Sequence, residues 1–205
     1  FTRMFHLPMH DNKMRTEILT IDKGQCLTDV LPAIPANTIF DKTITGCGAT
    51  HSEIVNAARH SIIIEPNIPV ILGKKAEHPF LFAVYEGITK EDVKAYLAGE
   101  HDGYRKIITT PEGFDKKVLP AMHELEIPVY KDYFLLFDEC EKAIQDVGYR
   151  GDIYLPVEDF FKFENKAMVS ATPIVPSDPR FGENGFKILK LVPTYDSRIE
   201  LTLCT

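Results

Sequence analysis

Positive charge is in short supply in this chain: 23 lysines and arginines face 30 aspartates and glutamates, a formal net charge of −7. That balance argues against indiscriminate electrostatic binding to nucleic acid or acidic membranes, although a local basic face stays compatible with it. Cysteine is scarce too. Cys26, Cys47, Cys140 and Cys204 stand far apart, form no Cys-x-x-Cys pair and have no histidines clustered beside them. Neither a zinc-ligand spacing nor a disulfide framework is therefore expected, and a reduced, cytoplasmic setting is the natural one. Long apolar runs are missing as well: Ile62-Ile63-Ile64 is far shorter than a membrane span, and no signal-peptide pattern is visible. No membrane partner is expected.

What is present is an ordinary globular composition, 44% apolar and 26% charged over 205 residues, enough for one substantial domain with a buried core. Residues 14–205 read as that single domain, and residues 1–13, which begin at Phe1 rather than methionine, as an upstream extension. Apolar clusters of strand length alternate with helical segments, the pattern of an α/β fold with a mainly parallel sheet between two helical layers. The strands expected are 38–42, 61–64, 81–85, 106–109, 133–137, 167–170 and 187–192, with a further candidate at 199–203. The helices expected are 52–59, 91–97 behind a Thr89 cap, 114–126 interrupted at Pro120, 141–147 ending at Gly148, and 157–163. Residues 172–185, rich in proline and glycine, read as an irregular loop.

Chemistry-bearing residues fall at the carboxyl ends of these strands. Thr45-Gly46-Cys47-Gly48-Ala49-Thr50 places a glycine-rich turn between strand and helix. Such a turn can cradle phosphate with backbone N–H groups while a terminal hydroxyl holds magnesium, and it can equally serve tight packing alone. Asp138-Glu139 closes a wholly apolar strand, where ligands bind in this architecture, although an aspartate there can also simply cap a helix. Ser170-Ala171-Thr172 ends another strand, and Thr109-Thr110-Pro111-Glu112-Gly113 joins a strand to a helix start. Cys140 sits beside acids that disfavour a thiolate, His51 reads as a surface or packing residue, and Phe160, Phe161 and Phe163 read as core.

In this order, and together with Glu65-Pro66-Asn67, the segments resemble motifs I, Ia, Ib, II and III of the first RecA-like domain of superfamily-two DEAD/DExH-type helicases. The resemblance spans about residues 27–192 and extends to helicase-like proteins of bacterial mobile elements and phages. It implies a RecA-like P-loop NTPase domain that takes ATP and Mg. Thr45, Gly46, Gly48 and Thr50 would form the phosphate loop, with Lys42 nearby; Asp138 and Thr50 would hold magnesium; Glu139 would activate water. Ser170 and Thr172 would couple nucleotide state to nucleic acid, which Thr109, Thr110, Glu112 and Gly113 would contact.

The chain departs from that pattern in three places. Ala49 replaces the loop lysine, Asn67 stands where the family has arginine, and Glu141 stands where it has Asp or His. The resemblance further implies a second RecA-like domain as partner, which supplies arginine fingers and half of the nucleic-acid groove. Three readings stay open: a nucleic-acid-dependent ATPase or helicase component, a non-catalytic module binding nucleic acid or protein on the same fold, and an unrelated α/β enzyme with its site at the same sheet edge.

Overall fold

A computed structural model describes residues 14–43, 47–140, 157–172, 176 and 178–195. Eight strands form one all-parallel sheet: β1 (Thr16–Ile21), β2 (Thr38–Asp41), β3 (His60–Ile64), β4 (Phe82–Val84), β5 (Lys106–Thr109), β6 (Tyr133–Phe137), β7 (Asn165–Ser170) and β8 (Lys187–Pro193). Their order across the sheet is β1-β8-β2-β7-β6-β3-β5-β4. Helices α1 (Leu27–Val30), α2 (Ala49–Val55), α3 (Ile68–Glu77) and α4 (Lys90–Ala98) precede α5 (Pro111–Gly113), α6 (Leu119–Glu124), α7 (Val129–Asp132), α8 (Val157–Lys162) and α9 (Pro179–Glu183).

The strands read as unbroken apolar runs because both faces of the sheet are covered. Side chains alternate across a strand, so each run feeds two cores. Ile62 and Ile64 of β3, Leu135 and Phe137 of β6 and Ile107 of β5 join Val93 of α4 and Phe160 of α8 on one face. Ile63, Phe134, Leu136 and Ile108 join Leu27, Ile54 and Ile71 from α1, α2 and α3 on the other. The result is a three-layer α/β fold, consistent with a RecA-like domain. Among the described residues, no helix is long and apolar enough to cross a membrane.

Most expected elements are present within a residue or two, and the differences have physical reasons. β1 was not foreseen: Thr16–Ile21 alternates exposed and half-buried positions at the sheet edge, so its apolar signal is dilute. α3 was also missed. Its sequence Ile68-Pro69-Val70-Ile71-Leu72 has no helical period, and only Ile71 of it is buried. The helix expected at 52–59 begins earlier, at Ala49, and ends at Val55. Pro120 does not split its helix. The backbone instead widens over Phe114–Val118, where the Leu119 N–H reaches the Phe114 carbonyl, and α6 resumes with Pro120 in its first turn, where no N–H is needed. Thr89 caps α4 as expected, accepting from the Asp92 N–H while Asp92 returns a bond to the Thr89 N–H. The loop expected at 172–185 contains α9, capped by Asp178. The strand candidate at 199–203 and the helix at 141–147 lie outside the described residues.

Candidate functional site

The strand order brings distant segments to one edge. β2 passes into α2 on one face, whereas β7, its neighbour, is flanked by α8 and α9, which pack on the other. Adjacent strands whose connections leave on opposite faces open a crevice at their carboxyl ends. Lys42, Glu65 and Asp138 each stand one residue past a strand there. Their backbone N–H groups continue the ladder, Lys42 to the Ser170 carbonyl, Glu65 to that of Thr109 and Asp138 to that of Ile64, each at 2.9 Å.

The strand ends here hold a polar cluster. The Lys42 ammonium lies 3.1 Å from Asp138 Oδ1, and the Thr50 hydroxyl donates to Asp138 Oδ2, so both oxygens of one carboxylate are taken, by groups just past β2 and in the first turn of α2. Asp138 also folds back on its own chain, accepting the Glu139 N–H at 2.9 Å. On the far side the Asn67 amide bridges two acids, donating to Glu65 Oε1 at 2.9 Å and to Glu139 Oε2 at 2.7 Å. Glu65 also accepts the Asn67 backbone N–H.

Two non-glycine residues with left-handed backbone flank the cluster, Thr43 (φ 30°) after Lys42 and Glu139 (φ 49°) after Asp138. Such conformations are costly for side-chain-bearing residues, most of all for a β-branched one, and gather where a site dictates the backbone. Gly48 (φ 89°), the N-cap of α2, needs its glycine for the same conformational reason.

Asp138 and Glu139 act on Lys42, and Glu65 adjoins the same two acids. Glu65 is almost wholly buried, and burial, reinforced by the two neighbouring acids, lifts its carboxyl to about 7. Burial works to lower Lys42, but Asp138 and Glu139 outweigh it and hold the ammonium above its usual range. The Cys47 thiol is pushed up by burial.

The resemblance residues are not all gathered here. Ser170 and Thr172 bond one another, the Ser170 hydroxyl donating to the Thr172 carbonyl and accepting its N–H, which closes the turn at the end of β7. Thr109 is buried, and Thr110 caps α5 by accepting the Gly113 N–H at 3.0 Å. Gly113 is there for want of room: a Cβ would come within 2.5 Å of the Thr109 hydroxyl. Thr110, Glu112 and Gly113 line a cleft of about 870 Å³ with Pro66, Tyr85 and Lys117. Thr45, Gly46, Pro173 and Glu141 lie outside the described residues.

Ala49 changes meaning in three dimensions. It is not an empty place in a phosphate cradle, because its methyl packs in the apolar cluster between sheet and α2. Conversely, Glu65 and Asn67, marked in the sequence only by the missing arginine, prove to be central. The available signal was an acid directly ending a run of three isoleucines at a parallel strand's carboxyl end. His51 is exposed and meets His78 at 3.2 Å, Cys140 is buried, and Phe160 and Phe163 are core.

Among the described residues, no group of three or more His, Cys, Asp or Glu side chains is placed to hold a metal ion by itself. No known protein-family model matches the chain, and no curated protein matches it.

Proposed function

We propose that this chain is a helicase-like nucleotide-binding domain that takes a magnesium–nucleoside triphosphate, ATP in the first instance, in the crevice beyond β2, β6 and β3. Nucleic acid or a second RecA-like domain is its partner in this reading. One observation carries it: Lys42 and Thr50 converge on Asp138 from 96 and 88 residues away, uniting a cation, a hydroxyl and a carboxylate at a parallel sheet's carboxyl edge.

Asp138 and Thr50 are the residues that would hold magnesium, which when bound neutralises phosphate charge and orients the phosphates. Glu139 lies beside them with one carboxylate oxygen fixed by Asn67, a placement suited to orienting a water and accepting its proton. Glu65, at about 7, carries a proton part of the time at neutral pH, which limits the repulsion that three ionised acids would exert on an incoming polyphosphate. The cleft formed by Thr110, Glu112 and Gly113 lies along the same edge and is the surface on which a nucleic-acid backbone would run.

Calorimetric titration with MgATP, comparing the chain with its Asp138→Ala variant, tests the reading. Binding that the variant abolishes supports it, and no binding at millimolar nucleotide sinks it. The burial of Ala49 favours a second reading, in which nucleotide or nucleic acid is bound without turnover. Phosphate release at saturating MgATP, with and without single-stranded DNA or RNA, separates the two: binding without release in either condition supports the non-catalytic module.

A further inference from the structure

We propose that Lys42 is the cation that meets the terminal phosphates of the nucleotide, supplied from the end of β2 instead of from the first turn of α2, and held on Asp138 until those phosphates arrive. The inference rests on the nucleotide-binding reading above and assigns within it the charge that position 49 does not provide.

Four observations lead to it. The Lys42 side chain is only 13% exposed, so the fold has already taken its ammonium out of most of the solvent, which a surface counter-ion does not require. Its backbone is pinned by the bond to the Ser170 carbonyl, and the chain turns sharply at Thr43, whose hydroxyl donates to the Leu191 carbonyl. The ammonium therefore projects from a fixed stem. Third, it shares one carboxylate with Thr50, each taking a different oxygen. Any metal that binds Asp138 competes with Lys42 for that carboxylate, and the phosphates that accompany the metal bring the displaced ammonium a replacement anion. Fourth, a lysine at position 49 would start from the apolar cluster, so the strand end is the better origin for a cation reaching this crevice.

The alternative is a lysine that only neutralises Asp138. A structural counter-ion affects all nucleotides alike, whereas a phosphate ligand affects them according to phosphate number. The test is calorimetry on the full chain with MgATP, MgADP and AMP, comparing wild type with Lys42→Met and Lys42→Arg. The expected result is at least a tenfold loss of MgATP affinity in Lys42→Met, about 1.4 kcal/mol. A smaller loss is expected for MgADP, AMP affinity within about twofold of wild type, and substantial recovery in Lys42→Arg. Unchanged MgATP affinity in Lys42→Met, or an equal loss for all three ligands, overturns the assignment while leaving nucleotide binding intact. A wild-type chain that binds none of the three removes the underlying reading and this one with it. Should Lys42→Met lose its fold by circular dichroism, Lys42→Gln keeps a donor toward Asp138 and is held to the same ATP-over-AMP criterion.

Discussion

The two edges of the sheet both bury charge, and they do so in opposite ways. At the amino edge Glu53 is completely buried yet fully answered. It receives the Arg59 Nε at 3.0 Å, the Ser61 hydroxyl, and the Lys106 ammonium at 3.7 Å. Lys106 also donates to Ser61 at 2.8 Å, and Arg59 reaches the Ile34 carbonyl at 2.9 Å while lying over the Phe134 ring. Two cations enclose one acid, and each has a further oxygen to bond. At the carboxyl edge Asp138 and Glu139 act on one cation, Lys42, and Glu65 adjoins the same two acids. A closed network of the first kind fixes structure. Acids gathered at strand ends, one of them with a strongly raised carboxyl, are of the kind found at functional sites.

The contrast predicts unequal responses to equal changes. Removing the acid at the amino edge, Glu53→Ala, strands Arg59 and Lys106 beside each other and is expected to cost about 3–5 kcal/mol. Urea unfolding measures it, and a loss below about 1 kcal/mol would mean that the network holds little. Placing a lysine at position 49 puts an ammonium into the apolar cluster under α2. Ala49→Lys is expected to destabilise the chain by about 2 kcal/mol or more, visible as a lower thermal midpoint, without strengthening nucleotide binding.

Glu65 is expected to make stability depend on pH. Its carboxyl titrates near 7 when folded and near 4.5 in its ordinary state, so the folded chain binds the extra proton between those values. Stability attributable to this group is therefore largest below pH 4.5, falls as pH rises toward 7, and is absent above it. Glu65→Gln is expected to stabilise the chain at pH 8 by up to about 3 kcal/mol and to leave it nearly unchanged at pH 4. An equal effect at both pH values would rule out the buried carboxyl as its cause. The smallest effect on stability is expected from Asp138→Asn, within about 1 kcal/mol, because asparagine keeps an oxygen for Lys42 and Thr50, and Glu139 continues to act on Lys42. The same variant loses magnesium-dependent nucleotide binding. A large destabilisation there would make the two edges alike and erase the distinction.

Much of the fold was legible in the sequence for a simple reason. Strands covered on both faces must be apolar throughout, so β3, β5 and β6 announce themselves, and a polar residue ending such a run must emerge at the sheet's edge. Asp138 could be placed there by that rule alone, whereas Lys42 follows the polar but buried Asp41 of β2 and could not. Residues at the rim escaped it: β1 has one face half-open, and α3 buries too little to leave a helical period. What the sequence determined by itself was a layered α/β domain with a mainly parallel sheet and acids at strand ends, because burial is written into local patterns of polarity. Only the tertiary structure decided that Lys42 and Thr50 share one carboxylate, that Asn67 joins Glu65 to Glu139, and that Ala49 belongs to the core. Those facts depend on which strands lie side by side, and the crossing of β2 past β7 and β6 to reach β3 is set by the packing of the whole chain, not by any segment of it.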